Sequence, residues 1–237
     1  MNHPKKRASG DDKSVPIPID GRILSGDLSI PTSPRGIILF AHGSGSSRLS
    51  PRNRHVAHEL QKAGLATLLL DLLTTAEEQM DAQSGTLRFD IELLAHRLLR
   101  ATLWLKERED TASLGVGYFG ASTGAAAALV AAASIPDLVA AIVSRGGRPD
   151  LAGEALHHVV APTLLIVGGQ DRTVLELNRR ALAELGADEK SLEIVPRASH
   201  LFEEPGALAS VAYLATEWFV RYISARVDKR KVSRVSS

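Results

Sequence analysis

Short runs of continuous apolar residues alternate along this chain with longer stretches whose apolar positions recur at helical spacing. The runs 36–41, 66–70, 114–119, 138–143, 163–167 and 192–195 have strand length and no polar alternation, as strands buried on both faces do. An opening hairpin is predicted over 17–30, turned at Asp20-Gly21. Helical patterns fall over 51–62, 86–108, 123–133, 174–185 and 205–226. In 86–108, Ile91, Leu94, Ala95, Leu98, Ala101, Leu103 and Leu105 mark an apolar face, and Glu92, Arg97, Arg100 and Lys106 are assigned to the other side. This alternation predicts an α/β fold: one mostly parallel sheet of about eight strands with helices on both faces and no large cap. The stretch 72–85, with Glu77, Glu78 and Asp81, is expected to be an irregular loop past a strand end and a wall of the ligand pocket.

The length of 237 residues suits one domain, placed at 15–226. Residues 1–14 hold Lys5, Lys6 and Arg7 without a following apolar run, which argues against a signal peptide and for a flexible arm. Residues 227–237 form a basic tail that is expected to be solvated. A formal charge of +1 gives no field for nucleic acid, and no apolar run is long enough to cross a membrane, so a cytoplasmic protein is expected. With no cysteine in the chain, disulfides, thiolate metal sites and a cysteine nucleophile are excluded.

The chemistry gathers at predicted strand ends. Gly120-Ala121-Ser122-Thr123-Gly124 is Gly-x-Ser-x-Gly between a strand and a helix, the turn that holds a nucleophilic serine out at a sheet edge. A serine there can instead merely cap the helix. Asp171 follows the strand 163–167 and His200 follows 192–195, which gives the order Ser, Asp, His. That order belongs to one class of serine-hydrolase fold. His42-Gly43-Ser44-Gly45 follows the strand 36–41, where a loop supplies a backbone N–H to an oxyanion hole. Ser44 and Thr123 are the expected N–H donors, with His42, Asp71 and Arg145 as candidate pocket residues. Gly43-x-Gly45 followed by Asp71 also resembles part of a dinucleotide fingerprint, but Arg48 stands where a small residue is needed.

These motifs resemble the α/β-hydrolase superfamily, and within it the small, cap-less dienelactone-hydrolase-like proteins. The resemblance runs from about Ile17 to Ala225. It includes Asp71-Leu72-Leu73-Thr74, Leu87-Arg88-Phe89-Asp90, Ser144-Arg145-Gly146-Gly147-Arg148-Pro149-Asp150 and His200-Leu201-Phe202-Glu203-Glu204-Pro205. It points to a subgroup sometimes fused to phosphoribosyltransferase domains. The namesake enzymes use a cysteine nucleophile, so lactone specificity does not carry over to Ser122.

The resulting expectation is a serine hydrolase for small soluble carboxylic esters, with Ser122 as nucleophile, His200 as base and Asp171 as its orienting carboxylate. Acyl transfer, thioester or amide cleavage by the same triad, and a non-catalytic ligand-binding homologue, are the alternatives. No cofactor is expected. No metal is expected either, because the pairs His157/His158 and His55/His58 lack a nearby acidic ligand. Arg145 is expected to pair with Asp150 or a nearby carboxylate, with attraction of an acidic substrate group as its other reading. The oligomeric state is left open.

Overall fold

The hairpin forms where the turn chemistry places it. In the computed structural model, which describes residues 13–235 (224–235 by backbone alone), β1 (Lys13–Ile19) and β2 (Arg22–Ser29) pair antiparallel across Asp20 and Gly21. Both turn residues have positive φ, 49° and 76°, as a type I′ turn requires. Lys13 and Ser14 pair with Leu28 and Asp27, so these two residues of the expected arm are strand. Residues 1–12 and 236–237 lie outside the described residues.

The apolar runs become β3 (Ile37–Ala41), β4 (Ala66–Leu70), β5 (Val116–Ala121), β6 (Val139–Arg145), β7 (Thr163–Gly168) and β8 (Lys190–Val195). Of these, β8 is not buried on both faces: it lies at the sheet edge, carries Glu193 and is largely exposed. One sheet results, in the order β1-β2-β4-β3-β5-β6-β7-β8. It is parallel except for the pairings β1/β2 and β2/β4. Helices α1 (Pro51–Lys62), α3 (Ile91–Glu107), α4 (Thr123–Ser134), α5 (Arg172–Glu184) and α6 (Ala207–Val235) cover it. Leu94, Leu98 and Leu105 of α3, with the alanines of α4, pack on one face. Val56 and Leu60 of α1, with Val211, Phe219 and Ile223 of α6, pack on the other. No glycine or proline interrupts 207–235, and the helix runs on through the expected tail.

Two expectations fail for one reason. The stretch 72–85 is not irregular: it carries α2 (Thr75–Ser84), opened by a capping box between Thr74 and Glu77 and closed by Gly85 in the left-handed conformation. Arg97, assigned to the polar side of α3, is 3% exposed and forms a two-pronged ion pair with Glu77 at 2.6 Å. The α2 carboxylate reaches into the interior and takes the guanidinium with it. A short 3-10 turn, Leu87–Phe89, then leads into α3. Among the described residues no helix is long and apolar enough to cross a membrane.

Candidate active site

The turn between β5 and α4 is sharp because its glycines permit it. A Cβ on Gly124 would lie 2.2 Å from Ala41 O, and one on Gly120 would lie 2.4 Å from Ala125 Cα. Neither contact is tolerable, so these positions let α4 seat against β3 and β5. Ser122, between them, takes φ 51° and ψ −122°, a conformation that costs a non-glycine residue about 1–3 kcal/mol. Its side chain makes no cap bond to the helix. Capping therefore does not explain the serine. Its backbone is held instead by Arg145 O, which accepts Ser122 N–H at 3.3 Å, and by Arg148 N–H, which donates to Ser122 O at 3.1 Å.

The structure brings His200 and Asp171 together across 29 residues of sequence, Nδ1 to Oδ2 at 2.6 Å. The other carboxylate oxygen, Oδ1, accepts Val174 N–H at the start of α5. One aspartate thus caps a helix and fixes an imidazole. With Nδ1 engaged, Nε2 is the ring nitrogen left for a substrate or nucleophile. The motif after His200 anchors its loop at several points. Phe202 is buried, Glu203 reaches Arg52 of α1 at 3.1 Å, and Glu204 accepts Ser199 N–H at 3.0 Å. Ser122 lies at the same end of the sheet. A Cβ on Gly43 would meet Ser122 Cβ at 2.9 Å, and one on Gly146, next to Arg145, would meet the His200 ring at 3.5 Å. No hydrogen bond joins Ser122 Oγ to His200 in this structure.

The loop after β3 is locked in place. His42 Nδ1 lies 3.0 Å from Gly43 O, and Nε2 accepts Leu72 N–H at 3.1 Å. Nε2 must be unprotonated to accept, so the ring is neutral with its proton on Nδ1, and burial lowers its pKa in the same direction. His42 forms part of the pocket wall, yet both its nitrogens are spent on loop geometry. Asp71 is likewise committed: Arg48 binds it through its backbone N–H at 2.7 Å and through its guanidinium, which also reaches Asp27. The arginine that spoils the dinucleotide pattern is the pin that ties this loop to β2 and β4. Ser44 N–H, expected to stand open, donates to Thr123 Oγ1 at 2.9 Å.

A cleft of about 440 Å³ starts at Gly43 and Ser44 and extends to Leu73, Glu78, Asp81 and Arg88. The 72–85 segment is thus a wall of it, as a helix and not as a loop. Glu78 faces this cleft with its pKa raised by burial and by Asp71, whereas Asp81 is neutralised by Arg88 at 2.5 Å. The expected pairing of Arg145 with Asp150 does not form. Arg148 reaches Asp150 first, two residues away and through two bonds of 2.9 and 2.8 Å, and Arg145 is left buried without a carboxylate. Sequence reasoning put Glu77 in a loop, although the capping box at Thr74 was the available signal for a helix start, and it did not single out Arg52, for which the sequence carried none.

Comparison with known proteins bears on the fold and the family. The chain is 60% identical over 208 residues to two Mycobacterium tuberculosis proteins, each called "Putative phosphoribosyl transferase". The match takes in 88% of this chain but 45% of theirs, so the chain spans about half the length of these relatives. The crystal structure of dienelactone hydrolase from Anabaena variabilis is also 60% identical, with a TM-score of 0.89 over 91% of this chain and all of that one. Est1E from Butyrivibrio proteoclasticus, at 16% identity, shares the fold with a TM-score of 0.75 over 91% of this chain and 100% of its own. The family model described as the dienelactone hydrolase family matches residues 24–223, from β2 through the elbow and the His200 loop into α6, and this chain belongs to that family.

Proposed function

We propose that the protein is a serine hydrolase that cleaves carboxylic esters of small soluble substrates through an acyl-enzyme. The observation that carries the reading is the pairing of a strained, uncapped Ser122 at a strand-to-helix elbow with a His200 imidazole already oriented by Asp171. His200 Nε2 takes the proton of Ser122 Oγ as that oxygen bonds to the ester carbon. The carbonyl π electrons move to oxygen, and the resulting oxyanion accepts hydrogen bonds from Thr123 N–H and Ser44 N–H, replacing Thr123 Oγ1 at the latter. The oxyanion collapses, the C–O bond to the alcohol breaks, and His200 returns the proton to the leaving oxygen. Water then attacks the acyl carbon, giving its proton to His200, and Ser122 Oγ leaves as a hydroxyl. Asp171 stays ionised throughout and holds the imidazolium. Each oxyanion donor is worth about 3 kcal/mol of transition-state stabilisation.

The name of the mycobacterial relatives brings no phosphoribosyl transfer to this reading, because the chain matches less than half of each. A fluorophosphonate probe tests the proposal directly. It is expected to label the wild-type protein stoichiometrically at Ser122 and to leave Ser122→Ala unlabelled and inactive toward 4-nitrophenyl acetate. Undiminished hydrolysis by a folded Ser122→Ala protein would remove Ser122 from the mechanism.

A further inference from the structure

Arg145 ends β6 in register with Ala121, the residue before the nucleophile. Its carbonyl accepts Ser122 N–H, and the adjacent Gly146 lies against His200, so its backbone is near both. The residue is 8% exposed. Strand alternation puts it on the face of Ala141 and Val143, under α1 and α6. Its Nε and Nη1 are buried and have no hydrogen-bond partner. The charge acting on it is another cation, Arg52, and burial together with that repulsion lowers its pKa to about 10.

Arg52, whose side chain is 32% exposed, is the neighbouring cation. It occupies the first turn of α1, where the helix dipole disfavours a positive charge and where no acidic residue is present. Its Nε is also buried and unpartnered, and its Nη1 is held by Glu203, three residues after His200. Two guanidinium groups against one carboxylate leave one positive charge uncompensated. Burying an unpaired charge is strongly unfavourable, and an oxyanion in hydrogen-bonding reach would offset that cost. The planar guanidinium fork matches a carboxylate or a phosphate in two-pronged geometry.

We propose that Arg145 and Arg52 form a receptor for an oxyanion, a carboxylate or phosphate carried by the substrate, placed beside Ser122 under the His200 loop. The substrate class this adds is the anionic ester, and that part rests on Ser122 being the nucleophile. Anion binding itself does not.

The test compares mono-4-nitrophenyl glutarate with 4-nitrophenyl valerate, which has the same chain length and no charge. Wild type is expected to favour the charged ester in kcat/KM by about tenfold or more, and Arg145→Gln and Arg52→Gln are each expected to lower that ratio by about tenfold or more. Independently of turnover, inorganic phosphate or succinate is expected to raise the melting temperature of Ser122→Ala at constant ionic strength. The anion that does so identifies the ligand as phosphate or carboxylate, and adding Arg145→Gln is expected to abolish the shift. Should Arg145→Gln fail to fold, Arg145→Lys keeps the charge but loses the fork, and a reduced ratio in that variant carries the same meaning. Equal handling of the two esters, with no stabilisation by either anion, overturns the receptor. Absence of turnover on both esters, with an anion-dependent melting shift intact, would sink the hydrolase reading and keep the receptor.

Discussion

At Ser122 the backbone is held in a conformation that its own Cβ resists, and the alternative use of the hydroxyl, capping α4, is not taken. Strain kept without a local gain marks a position where geometry serves chemistry. The consequence is measurable: Ser122→Gly, which removes the Cβ, is expected to be more stable than Ser122→Ala by about 1 kcal/mol, although both are inactive. Denaturant melts of the two variants check this, and equal stability would show that the elbow is not strained by the side chain. Of the proposed triad, Ser122 and Asp171 were legible in the sequence because each follows an apolar run that is buried as a strand, β5 and β7. His200 follows β8, a largely exposed edge strand that carries Glu193, and was legible from the order of the motifs. The fate of Arg145 was not. Asp150 is close to both arginines in sequence, and only the fold shows that Arg148 claims both its oxygens.

The element that escaped the sequence is α2. Residues 75–84 are mostly polar and carry no apolar stripe, so periodicity gives no signal; the helix is set by its caps and by one ion pair to α3. Glu77 accepts from Arg97, from Thr74 N–H and from the Thr74 hydroxyl, and these bonds, Arg97 foremost, lower its pKa from 4.5 to about 2. A carboxylate depressed in the folded state adds stability that is fully present above its unfolded value and is lost as pH falls toward the folded one. Wild-type stability should therefore decline between pH 4.5 and about 2, and Glu77→Gln should lose that part of the decline. At neutral pH the same substitution strands a buried guanidinium and is expected to cost about 3 kcal/mol. Thermal melts of both proteins across pH decide the point, and parallel pH profiles would show that the pair contributes no linkage.

At the scale of the whole molecule, the alternation of apolar runs and amphipathic stretches was enough to set the sheet and its strand count. The sheet order and the covering of its two faces follow from the usual constraints on parallel crossovers. The cleft that this architecture leaves is small and lined largely by the polar loop after β3 and by α2. On a series of 4-nitrophenyl esters, kcat/KM is accordingly expected to fall as the acyl chain lengthens beyond a few carbons. A rise toward long chains would contradict the size of the cleft as the determinant of selectivity.

The seating of Gly124 on the carbonyls of Ala41 and His42 has a mechanical corollary. With no side chain between them, the N-terminal turn of α4 and the end of β3 form one rigid block, and relative motion at this end of the molecule is left to α2 and to the His200 segment. Amide exchange should register the division, slow at 41–43 and 123–126 and faster at 74–86 and 199–205. If all four segments exchange at one rate, substrate entry requires the block itself to open.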